Sequence, residues 1–347
     1  MIERLAIIAG GIAGALGVAA SARASHGGSE TLAIAAQFLL FHAPVLLAIA
    51  GLIRVSLIGP RAGALLLALF LAGLALFSGD LAMRALAGQP LFRMAAPLGR
   101  AQAVFLTHLH SDHINGLGNL ALLRWVGSTA KAPLPLLGPV GTAEVGAGFN
   151  AAYRIDAGYR TAHHGAGVAP PSGAGVAPRE VDPGVVYDAG GVRITAFAVK
   201  HDPVSPAYGY RLDWDGRSVT ISGDTAATPA LAQAAVGTDI LVAEMLNPAL
   251  VKRMSAAAAA NGQPQRAKIF ADIIDYHITP AQAGQAAHQA RARQLVFTHI
   301  VPAVPGFMEG MLVKGASATY SGPVKIAADG DVVTIAADKS ITRSNRF

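Results

Sequence analysis

The sequence contains no cysteine among its 347 residues. Disulfide bonds and thiolate metal sites are therefore excluded, and cysteine usage gives no information about the redox compartment. Charged residues are also scarce, at 14% of the chain, whereas 52% of the residues are hydrophobic. The net charge of +6 is spread without a concentrated basic stripe, so composition gives no reason to expect nucleic-acid binding. This length and apolar content predict two domains, of which one is not an ordinary soluble domain.

Three long runs without a charged residue lie near the start of the chain, at residues 5–22, 31–53 and 62–79. A helix needs about 20 apolar residues to cross the hydrocarbon core of a bilayer, so each run is a candidate transmembrane helix. We predict an all-α transmembrane region of about three helices over residues 1–95, with the lipid bilayer as a partner. The alternative is a secretory signal ending at Ala22 or Ala24, which the two further apolar runs disfavour.

Four side chains able to bind metal follow a short apolar stretch, residues 104–106, that is predicted to be a β-strand. His108 and His110 are two residues apart, so an extended backbone points both to the same side. Asp112 and His113 follow where the chain turns, and they can face a second point nearby. Imidazoles together with a carboxylate are ligands that Zn²⁺ and similar divalent ions accept. This spacing predicts a metal site.

Three single polar residues, His201, Asp224 and His299, stand at the ends of later apolar stretches that are predicted to be strands. Each of them alone would more often be a structural residue, and Asp224 could equally cap a helix that begins nearby. Together with the histidine motif, they make four predicted strand ends that carry metal-binding side chains. This number favours a shared site, so we expect these residues to lie close to the histidine motif.

Alternating apolar patterns predict a series of further elements in residues 96–347. The predicted strands cover residues 134–139, 185–187, 192–199, 207–212, 219–222, 240–243, 294–297, 324–327 and 332–335. Predicted helices cover residues 119–125, 231–235 and 279–292. Residues 165–178 repeat Gly-Ala-Gly-Val-Ala-Pro and are predicted to be an exposed loop. Strands with intervening helices fit a layered αββα sandwich.

The pattern His108-Leu-His110-Ser-Asp112-His113 resembles the signature of the metallo-β-lactamase fold superfamily, in the branch of ribonuclease Z-like and arylsulfatase-like hydrolases. The resemblance runs from about Pro97 to the C-terminus and implies an α/β fold, the αββα sandwich. It implies two divalent metal ions, expected to be Zn²⁺. The implied ligands are His108, His110 and His201 for one ion, Asp112, His113 and His299 for the other, and Asp224 between them. The implied catalytic residues are Asp112, His277 and Glu244.

The first 95 residues resemble a small bacterial membrane-protein family of unknown function that has four helices. The matching pieces are Gly14-Ala-Leu-Gly-Val18, Gln37-Phe-Leu-Leu-Phe-His42 and Leu76-Phe-Ser-Gly-Asp80. The fourth helix is absent, and the chain runs through Gln89 to Gly99 into the strand before the motif. The N-terminal strands usual in the hydrolase family are also absent, which indicates a fusion of two partial domains.

The function predicted from these residues is metal-dependent hydrolysis of an ester, a lactone or a phosphodiester. Two ions would lower the pKa of a shared water toward about 7, and the resulting bridging hydroxide would attack carbon or phosphorus. A narrower alternative is a ribonuclease Z-like endonuclease that processes tRNA 3′ ends. A further alternative is a membrane protein whose truncated hydrolase domain is inert.

A small-molecule substrate is preferred here, with no specific nucleic acid as a partner. Ribonuclease Z-like enzymes usually carry an RNA-gripping arm between the third histidine and the bridging aspartate, and residues 202–223 leave no room for one. The predicted location is a bacterial inner membrane. Arginines near the apolar runs favour a cytoplasmic hydrolase domain by only four to three. The oligomeric state cannot be inferred from the sequence.

Overall fold

The computed structural model describes residues 2–27, 30–87, 98–304 and 306–345. The chain divides into two compact units, Met1–Ala96 and Pro97–Phe347. Residues 88–97 lie outside the described residues. They include the predicted domain boundary at residue 95 and most of the segment from Gln89 to Gly99, where the fourth helix was predicted to be absent.

The first unit consists, in its described part, of three long helices. They are α1 (Ile2–Gly27), α2 (Glu30–Arg54) and α3 (Pro60–Ala87). Each contains a span that is long and apolar enough to cross a membrane, with mean hydropathy of 2.0, 2.1 and 2.2. Small residues let α1 and α2 approach closely, since a Cβ atom on Gly10 would lie 3.0 Å from the carbonyl oxygen of Ala43. The predicted all-helical segment is therefore confirmed.

The second unit begins with a small parallel sheet in the order β1-β2-β3. Its strands are β1 (Val104–Phe105), β2 (Leu134–Gly138) and β3 (Val176–Glu180), and the helices between them are α4 (Ser111–Ile114), α5 (Leu117–Ser128) and α6 (Thr142–His164). Leu134 and Leu136 on β2 are fully buried, and they belong to a core shared with Leu117 on α5. This sheet is therefore covered by helices on one face.

A larger sheet follows, with seven strands in the order β10-β9-β8-β7-β6-β5-β4. Its strands are β4 (Gly184–Ala189), β5 (Val192–His201), β6 (Val204–Trp214), β7 (Arg217–Ile221), β8 (Ile240–Leu246), β9 (Gln294–Val301) and β10 (Val324–Ile326). The remaining helices are α7 (Pro229–Ala234), α8 (Pro248–Ala260), α9 (Pro264–Asp272), α10 (Pro280–Ala290) and α11 (Glu309–Ser317). A separate hairpin pairs β11 (Asp331–Ile335) with β12 (Ile341–Asn345).

Two hydrophobic cores place the sheets between helical layers. Leu137 of the small sheet packs with Val186 and Tyr210 of the large sheet. On the other face of the large sheet, Phe297 packs with Leu312 of α11 and with α7 and α10. The order of layers is helix, sheet, sheet, helix, which confirms the predicted αββα sandwich.

The structure corrects the prediction for residues 165–178. That segment ends in β3, and Val176 is only 3% exposed because it completes the small sheet. The side chain of Asn150 on α6 bonds both the amide and the carbonyl of Val176, at 2.9 Å each. The long helix α6 was not predicted at all. Its glycines weaken the helical pattern, yet a Cβ atom on Gly146 would lie 2.8 Å from Pro178, so one of these glycines permits close packing on β3.

Candidate metal centre

The histidine motif is held against both sheets at the point where β1 ends. The amide of Leu106 donates to the carbonyl of Leu137 on β2, at 2.7 Å. The Tyr210 hydroxyl donates to the carbonyl of Leu106, also at 2.7 Å, and the amide of Tyr208 donates to the carbonyl of Thr107, at 2.8 Å. Although β1 has only two residues, these contacts from the large sheet fix the backbone immediately before His108.

Three ring nitrogens converge in one group. Nδ1 of His110 lies 3.0 Å from Nε2 of His108 and 3.3 Å from Nε2 of His201, which ends β5. One ring nitrogen offers one proton or one lone pair, so Nδ1 of His110 cannot hydrogen-bond well to both neighbours. A tetrahedral ion with Zn–N bonds of 2.0–2.1 Å would space its nitrogens by about 3.3 Å. The spacing therefore fits a cation held by three lone pairs.

The orientation of His201 is fixed from outside the group. Its Nδ1 donates to the backbone carbonyl of Tyr276 at 3.0 Å, which leaves the Nε2 lone pair directed toward His110. Tyr276 was not predicted as part of the site. The group that accepts the hydrogen bond is a backbone carbonyl, which every residue has. The residue type at position 276 therefore gives no indication of this contact.

A carboxylate and two imidazoles form a second group. Oδ2 of Asp112 lies 3.5 Å from Nε2 of His113 and 3.6 Å from Nε2 of His299 on β9. Asp112 is the exposed member, whereas His113 and His299 are partly buried. Nε2 of His113 is buried, faces carboxylate oxygens of Asp112 and Asp224, and makes no well-aligned hydrogen bond among the described residues, as expected of an atom that would bind a cation.

Asp224 lies between the two groups. Its Oδ2 is 3.3 Å from Nε2 of His113 and 3.6 Å from Nε2 of His299, and the ligand atoms of His108, His113 and Asp224 lie within 4.8 Å of one another. The carboxylate is buried at the end of β7, after Gly223, whose φ of +62° suits glycine. Charge on this buried carboxylate would offset repulsion between two cations. The seven predicted ligands are thus together in the structure, and the donor set fits two divalent ions.

The pKa values of these side chains are strongly perturbed. Burial and the neighbouring His113 lower the pKa of His108 to about 3, so this ring is neutral and able to donate a lone pair. Burial also lowers the pKa of His201. Burial of Asp224 alone would raise its pKa, but His113 and His299 outweigh burial and lower it to about 2. The site therefore combines two neutral imidazoles, those of His108 and His201, with an ionised carboxylate. The Asp224 carboxylate in turn raises the pKa of His113.

His277 and Glu244 lie beside this cluster. Nδ1 of His277 is 3.0 Å from Oε1 of Glu244 on β8 and 3.9 Å from Oδ2 of Asp224. Burial alone would lower the pKa of His277, but the Glu244 and Asp224 carboxylates outweigh it and raise the pKa. Two of the three side chains predicted as catalytic, His277 and Glu244, thus adjoin the ligand cluster and contact each other. The third, Asp112, lies within the cluster itself.

Comparison with known proteins identifies the family. Residues 75–300 match the beta-lactamase superfamily domain. The chain belongs to the beta-lactamase superfamily. Residues 13–99 match a protein family of unknown function, DUF423, so the predicted fusion of two family segments is confirmed. As a member of this superfamily the chain is an enzyme of the metallo-β-lactamase hydrolase type.

Among curated relatives, ribonuclease Z of Mycobacterium bovis (strain BCG / Pasteur 1173P2) is 37% identical over 248 residues, 70% of this chain and 84% of the relative. Ribonuclease Z of Mycobacterium avium (strain 104) is equally similar, at 37% over 248 residues, with the same shares covered.

Among solved structures, a metallo-beta-lactamase fold protein from Bacillus subtilis has a TM-score of 0.47 and 21% identity, covering 72% of this chain and 80% of that one. The short form of human tRNase Z has a TM-score of 0.42 and 19% identity, covering 67% and 79%. Both TM-scores are below 0.5, so the family assignment rests on the sequence matches.

These relatives overturn one prediction, that the substrate is a small molecule and that no specific nucleic acid is a partner. The curated relatives are ribonucleases by name. The structure does fill the segment between His201 and Asp224 with β6 and β7. The error was to infer from a missing arm that RNA is not bound, because any basic element near the site can contact phosphates.

Proposed function

We propose that this beta-lactamase superfamily member is a binuclear, zinc-dependent phosphodiesterase that cleaves RNA in the manner of ribonuclease Z, at the 3′ side of precursor tRNA. The observation that carries the proposal is the meeting of two ligand groups at one buried carboxylate, Asp224, in a chain 37% identical to ribonuclease Z relatives. The narrower tRNA alternative thereby replaces the small-molecule prediction.

The residues proposed to hold the two ions are the seven that the structure brings together. One ion would be held by His108, His110 and His201, the other by Asp112, His113 and His299, with Asp224 shared. When bound, two divalent ions supply Lewis acidity toward a phosphoryl oxygen and lower the pKa of a water molecule. Zinc is the expected metal because five imidazoles dominate the donor set.

His277 is proposed to donate a proton to the leaving oxygen. Its Nδ1 is committed to Glu244, so Nε2 is the ring atom free to act on substrate. In hydrolysis, a water oxygen bonds to phosphorus, the bond from phosphorus to the leaving oxygen breaks, and the Nε2 proton passes to that oxygen. Glu244 steadies the imidazolium and keeps the ring in place.

Asp112 is proposed to accept the proton that the attacking water loses as its oxygen bonds to phosphorus. Its side chain is exposed and stays ionised, because its own backbone amide and His113 outweigh the effect of burial and lower its pKa. A carboxylate at the edge of the ligand cluster can accept a hydrogen bond from water and orient it toward phosphorus.

The first unit is proposed to anchor the enzyme in a bacterial inner membrane, with the hydrolase unit in the cytoplasm. The support is the length and hydropathy of the three spans. We expect the protein to stay in the membrane fraction after alkaline washing. We also expect added protease to degrade the hydrolase unit in inverted vesicles but not in right-side-out vesicles. Release by alkaline washing would contradict the anchor.

The test of function uses the full chain in nanodiscs, loaded with zinc and incubated with a precursor tRNA that carries a 3′ extension. We expect one endonucleolytic cut at the 3′ side of the tRNA body, detected by end mapping, and loss of cleavage in His110→Ala. His288→Ala is the matched control, because His288 is an exposed histidine on α10. Absence of RNA cleavage by protein that holds about two zinc ions per chain would show the proposal to be wrong.

A further inference from the structure

A helical hairpin emerges directly from the candidate metal centre. It consists of α8 and α9 and lies in the chain between Glu244 and His277. Both of its ends are fixed at the site: the amide of Leu246 donates to the carbonyl of Ile278 at 2.8 Å, and the amide of Asn247 donates to the carbonyl of Val301 at 2.8 Å. The side chain of Asn247 then caps α8.

The two helices pack mainly on each other rather than on the sandwich. Val251 and Ala258 are buried in the hairpin, and the Ser255 hydroxyl donates to the carbonyl of Ala267 at 2.8 Å. With 13 residues, α8 is about 20 Å long. The hairpin is therefore a self-supporting element that extends well beyond the ligand cluster.

The hairpin, together with the short segment that joins it to His277, carries more basic than acidic side chains. The basic residues are Lys252, Arg253, Arg266 and Lys268, and the acidic residues are Asp272 and Asp275. Lys268 is paired with Asp272 at 2.8 Å, and Arg266 stacks over the ring of Phe270 at 5.6 Å.

Lys252 and Arg253 stand apart from these pairs. Both are exposed, and neither has an ion-pair partner in the part of the chain that the structure describes. Because α8 begins at Pro248, the two residues lie roughly 6–8 Å along the helix from its base at the metal centre.

A groove of 450 Å³ runs beside Lys252, between α8 and the segment that leads to His277. Ser255, Ala256 and Ala259 line it on α8, with Ala271, Ile274 and Asp275 opposite. Small side chains along α8 let a polymer backbone approach closely. Asp275, at the edge of the groove, is followed in the chain by Tyr276, whose partly exposed ring lies 4.9 Å from that of His277.

We infer that the α8–α9 hairpin is the RNA-binding element of this enzyme, and that Lys252 and Arg253 contact phosphates of the RNA strand that enters the metal centre. The inference rests on the proposed function, because it assigns the strand that the site cleaves. Unpaired cations next to a phosphodiester-cleaving site are placed to position the RNA backbone, while the site itself performs the chemistry. Phosphate contacts of this kind give a salt-dependent affinity that does not depend on base sequence.

The test compares wild type with Lys252→Gln/Arg253→Gln, both as full chains in phosphatidylcholine nanodiscs. Binding of a fluorescent 3′-extended precursor tRNA is measured without cleavage, in an Asp224→Asn background, as a function of salt. We expect the dissociation constant to rise on the order of tenfold. The slope of log affinity against log salt should fall by about 1.4, since each single-strand phosphate contact contributes about 0.7.

Two further variants define the controls. Lys131→Gln/Lys325→Gln removes the same charge from two exposed lysines outside the hairpin and should leave the slope unchanged. Asp275→Asn removes the acidic residue of the groove and should tighten RNA binding. Circular dichroism and an unchanged thermal unfolding midpoint, each compared with Asp224→Asn alone, confirm that each variant is folded.

The outcomes separate the inference from the proposed function. If wild type binds RNA through the hairpin but does not cut it, the proposed function is wrong and the hairpin inference stands. If the double variant binds RNA with the affinity and salt slope of wild type, the inference is overturned, whether or not wild type cleaves. If Lys252 and Arg253 bind anionic lipid instead of RNA, the double variant and wild type will bind RNA with the same affinity and salt slope. This equality is then expected in phosphatidylcholine nanodiscs and in phosphatidylglycerol nanodiscs.

Discussion

Nδ1 of His277 lies 3.0 Å from Oε1 of Glu244, and both side chains are buried next to the candidate metal centre. The same carboxylate oxygen accepts hydrogen bonds from the amides of Thr225, at 2.9 Å, and Ile278, at 3.2 Å. Three donors therefore fix Oε1. Because Nδ1 of His277 is held by this oxygen, Nε2 is the ring nitrogen that remains available to substrate. The amide of Thr225 thereby also ties the turn that contains Asp224 to β8.

The contact predicts that Glu244 acts through His277. Glu244→Gln keeps the shape but removes the charge that holds the imidazolium, so kcat should fall about 10- to 100-fold with KM little changed. His277→Asn should cost about 10²- to 10⁴-fold in kcat, and the double variant should be no slower than His277→Asn alone. Losses that multiply in the double variant would contradict a shared role.

A chemical probe separates proton donation from structural damage. A substrate with a 4-nitrophenolate leaving group needs no proton, so on it both variants should lose far less activity than on RNA. Equal losses on both substrates would indicate damage to the site instead.

The second prediction concerns metal content. Asp224→Asn keeps the size of the shared ligand but removes the negative charge between the two groups, so bound zinc should fall from about two per chain to about one or fewer. Zinc is measured by mass spectrometry on dialysed protein. Asp188→Asn is the matched control, because Asp188 is an exposed aspartate paired with Arg193 on the large sheet. Two tightly held zinc ions in Asp224→Asn would rule out the shared carboxylate.

The third prediction concerns the contact between Tyr210 and Leu106. Tyr210→Phe leaves the buried carbonyl of Leu106 without its donor, so the free energy of unfolding should fall by about 1–3 kcal/mol. Zinc binding should also weaken several-fold, because Leu106 is two residues before His108. Tyr208→Phe removes a similar bond to the carbonyl of Val181, at 3.0 Å and away from the motif, and should lower stability without weakening zinc binding. Equal zinc affinity in the two variants would contradict this account.

The residues of the candidate ligand cluster could be predicted because their signal is local. His108 to His113 form a dense motif. His201 ends β5, Asp224 follows the end of β7, and His299 lies two residues before the end of β9. Resemblance to one family then supplied the grouping into two sets. The αββα sandwich could be predicted from alternating apolar patterns that indicate strands, with helices between them.

Other features could not be predicted, for physical reasons. Helix α6 is stabilised by packing on β3 and not by its own glycine-containing pattern, so no local signal marks it. The bond from His201 to the carbonyl of Tyr276 joins residues far apart in sequence through a backbone atom. Helix α8 has local helix signals, with Asn247 before Pro248 and an alanine run, but its position at the metal centre becomes visible only once β8 and His277 are placed together.

The last prediction concerns the acid stability of the hydrolase unit. Asp239 is fully buried, and it accepts hydrogen bonds from the amide of Ser218, at 2.9 Å, and from Arg293, at 3.0 Å, with Lys339 at 3.5 Å. Burial alone would raise the pKa of Asp239, but Arg293, Ser218 and Lys339 together outweigh burial and lower it below the ordinary value. In the unfolded chain the pKa returns to about 3.9, so at acid pH the unfolded state binds more protons. The stability that Asp239 contributes is therefore present above about pH 4 and is lost as the pH falls through the lower, folded-state pKa.

Asp239→Asn should lower the free energy of unfolding by about 1–3 kcal/mol at neutral pH, because Arg293 and Lys339 lose their counter-charge. The gap between variant and wild type should narrow as the pH drops below about 4, where Asp239 in the unfolded chain begins to bind a proton, until the pH has passed the lower pKa of the folded state. Denaturant unfolding followed by tryptophan fluorescence reports on this unit, since both tryptophans of the chain, Trp125 and Trp214, lie in it. Acid also releases bound metal, but it does so in both proteins, so the difference between them is the quantity to compare. A gap that stays constant from neutral to acid pH would show that Asp239 is not held ionised by its neighbours.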